Sequence, residues 1–357
     1  MGRSGARRLW SRAPGALSVF WLWPAIAAIA GGYQVFAFLA CLRMLRPVRL
    51  NPPFTPGVSV LKPVRPGDAL PEESVKSNQE QDYPEFEVLY GSVGAATPNR
   101  KVGKLIELGR QAKYPVLIIA DSDIKVPPDY LRRVVAPLEN PAIGLVTCVY
   151  RARADHMAGR FEALGVATDF MPSTFVAPFV GVDEFALGAT MAVRRTDLER
   201  MGGFAAIADY IADDYQLGRR IHDLGLKCVL ADVVVETHLT ADRMSAVWKH
   251  QVRWARTLRF SRAAYAGLPV THATTWALLA LLSGEPWVAA GLMVVRYAMA
   301  IMAGWVVLRS GDVLKLWWLI PARDLFATAV WCAGMFGHTV DWAGERLRLD
   351  AQGRILR

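Results

Sequence analysis

The sequence predicts an α/β domain with a mainly parallel sheet, tethered to a membrane by apolar helices on both sides. Short β-branched runs alternate with helical segments over about residues 58–149, which is typical of a parallel sheet covered by helices. Of the 357 residues, 53% are hydrophobic and only 20% are charged, against about 25% charged in ordinary soluble proteins. This composition excludes a disordered or collagen-like chain and indicates a membrane protein with a soluble part.

The N-terminal apolar run predicts a transmembrane helix over 19–42, after a basic tail over 1–18. No charged residue occurs in the 30 positions between Arg12 and Arg43, and a spanning helix needs roughly 20 apolar residues. A cleaved signal peptide is the alternative, because arginines precede the run and Ala28-Ile29-Ala30 resembles a cleavage site.

The C-terminal part, 266–338, predicts about three further membrane segments and then a basic tail over 339–357. The segments lie at about 267–283, 286–308 and 316–337. Charges inside a membrane are costly, so they pair or face a cavity. Arg323 and Asp324 are expected to neutralise each other at the interface. The alternative is that they line a substrate site, and Arg296 lies in the second segment.

The soluble domain is predicted over 43–243. Apolar or β-branched runs predict strands at 58–61, 86–90, 116–120 and 143–149, and helical spacing or an initial proline predicts helices at 71–81, 100–111 and 128–138. Because 116–120 is apolar throughout, we expect that strand to be covered on both faces. Ligands of such sheets bind at the carboxyl ends of the strands.

Two carboxylates follow this buried strand, in Asp121-Ser122-Asp123. Hard divalent cations prefer carboxylate and phosphate oxygens, so a Mg²⁺ or Mn²⁺ ion here could bridge a diphosphate and neutralise a departing phosphate. The alternative is an aspartate-rich turn that caps the helix after Pro127-Pro128.

A second acidic pair, Asp213-Asp214, opens an amphipathic helix that runs to about Leu224. One carboxylate, favoured to be Asp213, could cap the helix and interact with its dipole. The other could be a general base that removes a proton from an acceptor hydroxyl. The small residues around Gly188, upstream of this pair, would let a substrate approach the backbone.

A helix over 244–265 mixes basic and aromatic residues, including His250, Arg253 and Trp254. This composition predicts a helix lying in the membrane interface, whose cations could also hold a diphosphate. The alternative is a helix buried in the soluble domain. The net charge of +9 does not favour nucleic-acid binding, because the basic residues cluster near the predicted membrane segments. Four scattered cysteines without a CxxC pair argue against a zinc site or a disulfide framework.

These motifs, in this order, resemble the processive-type membrane glycosyltransferases of the GT-A fold, and most of all the ceramide glucosyltransferase family (family 21 type). Its bacterial hopanoid-biosynthesis branch looks most similar. The resemblance covers about 55–265 and rests on Ser59-Val60-Leu61-Lys62-Pro63, Asn78 to Tyr90, Asn99-Arg100-Lys101-Val102, Ala120 to Pro127, Gly188 to Arg195, Tyr210 to Tyr215, and Val252-Arg253-Trp254.

The resemblance implies a role for each matching residue. Asp214 would be the catalytic base, and Asp121 and Asp123 would bind the metal. The implied contacts to the nucleotide sugar are Lys62, Asn99, Lys101, Asp121, Arg253 and Trp254. Those to the acceptor or the diphosphate are Gly188, Asp213 and His250, which stands where the family usually has Gln or Arg.

The implied activity is inverting transfer from a UDP-sugar to a membrane lipid, with Mg²⁺ or Mn²⁺ as cofactor. Membership of the hopanoid branch would mean N-acetylglucosamine transfer to a hopanoid polyol such as bacteriohopanetetrol. The alternatives are a ceramide or diacylglycerol glucosyltransferase and a catalytically impaired lipid-binding relative. The last is considered because the family usually has an extra helix and strand after the second strand, beginning with its first acidic motif. This sequence has no counterpart of that unit between Val93 and Asn99.

The implied localisation is a multi-pass protein of the bacterial inner membrane with a cytoplasmic catalytic domain. Three arginines directly after the first helix favour that side, namely Arg43, Arg46 and Arg49. Four others on the opposite flank weaken this argument, namely Arg3, Arg7, Arg8 and Arg12. Charge alone therefore leaves the topology open.

Overall fold

A computed structural model describes residues 22–45, 54–67, 70–261, 263–342 and 344–356. The predicted N-terminal tail over 1–18 lies outside these ranges, as do Arg46, Arg49 and Arg262. A six-stranded sheet in the order β2-β1-β3-β5-β4-β6 forms the centre. Its strands are β1 Val58–Pro63, β2 Phe86–Gly91, β3 Val116–Ile119, β4 Ile143–Arg153, β5 Met191–Arg194 and β6 Lys227–His238.

The sheet is mainly parallel, as the sequence predicts. β1 pairs in parallel with β2 and β3, and β4 pairs in parallel with β6, whereas β5 is antiparallel to both of its neighbours. Every residue of β3 is buried. Val116 and Ile118 face one hydrophobic core, and Leu117 and Ile119 face the other. The strand is apolar throughout because both of its faces are covered.

The four helices that precede β4 in the chain follow the sequence prediction closely. They are α1 Leu22–Met44, α2 Glu72–Gln79, α3 Arg100–Gln111 and α4 Tyr130–Val135. The predicted helix over 128–138 is divided, because α4 passes into a 3₁₀ turn at Ala136–Glu139, which contains Pro137. After β2 the chain enters a loop and then α3, and β2 pairs only with β1 among the described strands. The extra helix and strand that the resemblance implies therefore have no counterpart between β2 and α3.

A long apolar helix that was not predicted separates β4 from β5. It comprises α5 Met157–Gly165, a π-helical turn Val166–Phe170 and α6 Met171–Val176. The whole stretch Met157–Val180 is apolar enough to span a membrane, but 67% of its most apolar window is buried inside the protein. Its hydrophobicity therefore reflects packing between the sheet and the other apolar helices.

The remaining helices are α7 Arg195–Arg200, α8 Asp213–Asp223, α9 Met244–Ser261, α10 Ala273–Leu282, α11 Pro286–Ala300, α12 Gly311–Lys315 and α13 Ile320–Gly334. Two of the predicted membrane segments have spanning length in the structure, Trp23–Met44 and Pro286–Val307. The segments expected at 267–283 and 316–337 contain shorter helices, α10 and α13, of 10 and 15 residues. Neither reaches the roughly 20 residues that a span needs.

Arg323 and Asp324 do not neutralise each other at an interface, so that prediction is wrong. Both side chains are buried. Asp324 instead pairs with Arg296 of α11 at 2.7 Å, and Arg296 also donates to the carbonyl of Thr168 in the π-helical turn. Arg323 donates to the side-chain oxygen of Gln251 on α9. Because a buried charge needs a partner, these bonds fix α9, α11, α13 and the π-helical turn together.

The predicted basic tail is folded. Strands β7 Thr339–Trp342, β8 Glu345–Leu349 and β9 Ile355–Leu356 form a small antiparallel sheet. The amide of Ile211 donates to the carbonyl of Gly353, and the amide of Ile355 donates to the carbonyl of Asp209. The C-terminal sheet therefore supports the segment that leads to Asp213 and Asp214.

Helix α9 ends at Ser261. Two of its basic residues form hydrogen bonds to backbone carbonyls elsewhere in the protein. Arg256 donates to the carbonyls of Phe336 and Thr339, and Arg259 donates to those of Met335 and Gly337. The helix packs against α13 and the C-terminal sheet. These two arginines join α9 to the start of the C-terminal sheet, a role that the interfacial interpretation did not give them.

Candidate active site

The candidate site lies at the carboxyl ends of β1 and β3, where the parallel-sheet rule predicts a ligand. A large cavity of about 1890 Å³ opens there and extends to residues of α9 and α13. Asp121, Asp123, Asp213 and Asp214 all line this cavity. The structure thus brings together the two acidic motifs, which are about 90 residues apart in the sequence.

Lys101 connects the two acidic pairs. Its ammonium lies 2.9 Å from a carboxylate oxygen of Asp121 and 3.2 Å from one of Asp213. Burial disfavours its charge, but the carboxylates of Asp121, Asp213 and Asp214 outweigh burial and hold the pKa of Lys101 well above its ordinary value. Lys101 is therefore a permanent cation at the centre of the site.

Asp214 has the properties of a general base. Burial, followed by the charge of Asp213, raises its pKa to about 6, and Lys101 and the amide of Tyr215 partly oppose this rise. A base works best when its pKa lies near the operating pH. Asp213 is more deeply buried and pairs with Lys101. It does not cap the helix as predicted, because the cap position is Ala212 and no side chain caps the helix there.

Gly188 lies between a carboxylate of one acidic motif and a carboxylate of the other. A methyl group at Gly188 would lie 3.5 Å from a carboxylate oxygen of Asp121 and 3.5 Å from one of Asp214. The two oxygens are therefore no more than about 7 Å apart, by the geometry of a shared neighbour. The backbone of Gly188 leaves space between them for a substrate group, as the small-residue stretch predicts.

The residues present fit a divalent ion only in part. Within the described ranges, no three side chains of Asp, Glu, His or Cys form a complete metal site. Asp121 and Asp123 offer two carboxylates, and Thr237 donates to Asp123 at 2.6 Å. Because Mg²⁺ is usually held by one or two carboxylates together with substrate phosphates, this donor set suits an ion whose shell a diphosphate completes.

The predicted His250, Arg253 and Trp254 all line the same cavity. His250 lies 2.5 Å from the buried carboxylate of Glu162, and its ring centre is 4.7 Å from that of Trp254. Burial, followed by nearby Arg65, lowers the pKa of Arg253 below its ordinary value, yet an arginine stays charged in proteins. Arg65 and Arg253 thus offer positive charge to an anionic ligand.

Two of the predicted nucleotide contacts, Lys62 and Asn99, bind other groups of the protein in this structure. Lys62 is completely buried, and its ammonium donates to the carbonyls of Asp121 and Ile124. Burial lowers the pKa of Lys62 to about 8, although the nearby carboxylates of Asp123 and Asp121 act to raise it. Asn99 is also buried, where it caps α3 and donates to the carbonyl of Tyr210. Both residues shape the loops that carry the aspartates, and neither lines the cavity.

Sequence reasoning missed Glu162, which accepts hydrogen bonds from both His250 and Gln251. Its signal was present, because a carboxylate inside an apolar stretch is costly to bury without a partner. Because α5 was not predicted from the sequence, the segment that carries Glu162 could not be recognised as part of the cavity wall.

Comparison with known proteins gives a match along nearly the whole chain. The sequence profile of glycosyl transferase family 21 matches residues 22–96 and 92–355. The two matches overlap at residues 92–96, in the loop after β2.

Individual relatives are more distant. Ceramide glucosyltransferase 1 of Caenorhabditis elegans is 24% identical over 209 residues, which cover 50% of this chain and 45% of that protein. Beta-monoglucosyldiacylglycerol synthase of Synechocystis is 30% identical over 181 residues, covering 49% of this chain and 36% of that protein. The chain thus spans less than half of the length of these curated relatives.

Among solved structures, the mannosyltransferase PcManGT of Pyrobaculum calidifontis, in complex with GDP-Man and Mn²⁺, is 21% identical with a TM-score of 0.47. The alignment covers 86% of this chain and 96% of that one.

The family profile extends over both acidic motifs and the apolar helices. The chain therefore belongs to glycosyl transferase family 21.

Proposed function

We propose that this protein is an inverting glycosyltransferase that moves a sugar from a UDP-sugar to a hydroxyl group of a membrane lipid. The main support is the approach of Asp121 and Asp214 on either side of Gly188, inside a cavity that reaches the apolar helices. A donor at the first carboxylate and an acceptor at the second would meet there. The lipid acceptor agrees with the names of the relatives in Caenorhabditis elegans and Synechocystis.

The proposed reaction is a single in-line displacement. The acceptor oxygen bonds to the anomeric carbon, the bond from that carbon to the diphosphate oxygen breaks, and UDP leaves with the electron pair. Asp214 takes the proton of the acceptor hydroxyl. Lys101 and Arg253 supply positive charge beside the diphosphate. A Mg²⁺ or Mn²⁺ ion held through Asp121 and Asp123 would neutralise part of the charge on the leaving group.

The preferred donor and acceptor are N-acetylglucosamine and a hopanoid polyol, as the resemblance to the bacterial branch implies. Glucosyl transfer to ceramide or diacylglycerol is the alternative within the same reaction class. We also propose a bacterial inner-membrane location with a cytoplasmic site, in keeping with the apolar helices and a nucleotide-sugar donor. Mass spectrometry of lipids from cells with and without the protein would show which lipid gains which sugar.

The test of the reaction is transfer by the purified protein in liposomes that contain the candidate lipids. The wild type should form a glycolipid from a UDP-sugar, and Asp214→Asn should not. A protein that binds UDP but transfers no sugar to any lipid would contradict the proposal.

The second candidate is a catalytically impaired lipid-binding relative. The observation that favours it is the position of β2 at the sheet edge, without the extra strand that the family resemblance leads one to expect. A calorimetric titration with UDP and Mn²⁺ separates the two candidates, because an impaired relative should show no binding heat.

A further inference from the structure

The part of the cavity beside α13 contains a buried cation with unused hydrogen-bond donors. Arg323 is only 3% exposed, yet it lines the cavity wall. One of its nitrogens donates to Gln251, whereas Nε and Nη1 have no hydrogen-bond partner among the described residues. The guanidinium also packs against the rings of Phe161 and Phe326. Because buried donors are almost always satisfied, these two nitrogens need acceptors that the described residues do not supply.

Acceptor groups and apolar side chains line the same cavity as this cation. Asp169 lines the same cavity, accepts a hydrogen bond from Thr271 and lies 3.8 Å from His272. The carboxylates of Asp169 and Glu162 both act electrostatically on Arg323. The neighbouring cavity wall is apolar and is formed by Leu268, Ala327, Val330 and Trp331. A ligand here meets donors, acceptors and an apolar surface at the same place.

We infer that Arg323 and Asp169 form a binding subsite for the head group of the acceptor lipid, and that this head group is neutral and carries several hydroxyls. This inference rests on the proposed function and adds the residues that select the acceptor. A hydroxyl can donate to Asp169 while another accepts from Arg323. A phosphate could accept from Arg323, but Asp169 and Glu162 would repel it. A lipid with one hydroxyl could not satisfy both groups and also present an oxygen to Asp214.

The sequence provides two ways to disturb Arg323. Arg323→Met removes the donors and keeps the bulk of the side chain. Gly165→Ala keeps the charge but displaces the guanidinium, because the new methyl would lie 1.9 Å from Nε of Arg323. The matched control is Arg160→Met, which removes an arginine of α5 that pairs with Asp312 and does not line the cavity.

The experiment measures equilibrium binding of detergent-solubilised full-length protein to three lipids with equal tails, carrying a polyhydroxyl, a single-hydroxyl or a phosphate head group. The wild type should bind the polyhydroxyl lipid most tightly. Arg323→Met should weaken that binding by about ten- to hundredfold, the effect of losing hydrogen bonds from a charged donor. Gly165→Ala should act in the same direction with a smaller effect, and Arg160→Met should leave binding within twofold.

In transfer assays, the KM for the lipid should rise in Arg323→Met while the KM for the UDP-sugar stays the same. Tighter wild-type binding of the phosphate lipid, or an Arg323→Met variant that binds all three lipids normally, would overturn the inference. If the wild type transfers no sugar to any lipid, the proposed reaction fails, while the binding series still tests the subsite. If it transfers sugar and Arg323→Met does so with an unchanged lipid KM, only the subsite fails.

Discussion

Replacing Asp214 by Asn should separate catalysis from folding. The amide keeps the shape of the carboxylate but cannot accept the acceptor proton, and a general base contributes about 10²–10⁴-fold to a rate. We therefore expect transfer to fall by at least a hundredfold or so. The binding of UDP should change little, because Asp121, Asp123 and Lys101 remain in place.

The raised pKa of Asp214 gives the size and the direction of the effect on stability. Its pKa moves from an ordinary 3.8 to about 6 in the folded protein. At 1.36 kcal/mol for each unit, ionising this carboxyl costs the folded state about 3 kcal/mol at most, and less because Asp214 is partly exposed. Since the folded pKa is the higher one, the cost is absent below pH 4 and complete above pH 6. Asn carries no such cost, so the variant should be at least as stable as the wild type at pH 8.

Two assays check this reasoning. The wild-type kcat/KM should rise with pH and level off above a midpoint near pH 6, because the base must be ionised. Thermal unfolding in detergent at pH 4.5 and pH 8 should show that Asp214→Asn gains stability relative to the wild type as the pH rises. Asp213→Asn is the matched control. It removes a charge that raises the pKa of Asp214, so the midpoint should move to lower pH.

A rate loss below tenfold would remove Asp214 from the role of base. A variant that is less stable than the wild type at pH 8 would refute the electrostatic argument, because it would make the carboxylate a stabilising group in the folded protein.

The other predictions concern the groups around this base. Activity should require a divalent ion, and Asp121→Ala and Asp123→Ala should each weaken metal-dependent UDP binding; full activity in excess chelator would instead make the acidic pair a turn and helix cap. Gly188→Ala should fold normally, since its methyl meets only ordinary contacts, but should lower kcat by tenfold or more because the methyl fills the space between donor and base; normal kcat would contradict a reaction at this point. Glu162→Gln should release His250 and raise the KM of the donor or the acceptor, whereas unchanged kinetics would leave the pair with a purely structural role.

The sequence predicted four of the six strands, β1 to β4, because their apolar or β-branched runs differ from their surroundings, whereas β5 and β6 were not predicted. A run such as 116–120 is apolar throughout only when both faces are buried, so its place in the sheet could be foreseen. The acidic motifs could be located because one follows that strand and the other opens a helix. The long helix 157–180 could not be recognised, because burial between the sheet and other helices gives no polar face and thus no periodic signal.

The partners of individual charged side chains were beyond sequence reasoning. Lys62 and Asn99 lie in family motifs, yet their polar atoms bind backbone carbonyls and amides. Asp324 was expected to pair with its neighbour Arg323, but the two point in different directions on α13 and Asp324 meets Arg296 instead. Adjacent residues of a helix do not face each other, which is why the local pairing was a poor expectation.

The position of Lys101 links metal binding to donor binding. Its ammonium already neutralises Asp121, the carboxylate that a divalent ion would need. An ion that approaches without a diphosphate must therefore displace the ammonium of Lys101 or bind against its repulsion. A diphosphate changes this balance, because its oxygens add ligands for the ion and a new anionic partner for Lys101. Asp213, at 3.2 Å, can hold the ammonium during this exchange. It follows that the ion and the UDP-sugar should bind cooperatively at this site, with the nucleotide raising the affinity for the ion and the ion raising the affinity for the nucleotide by the same factor.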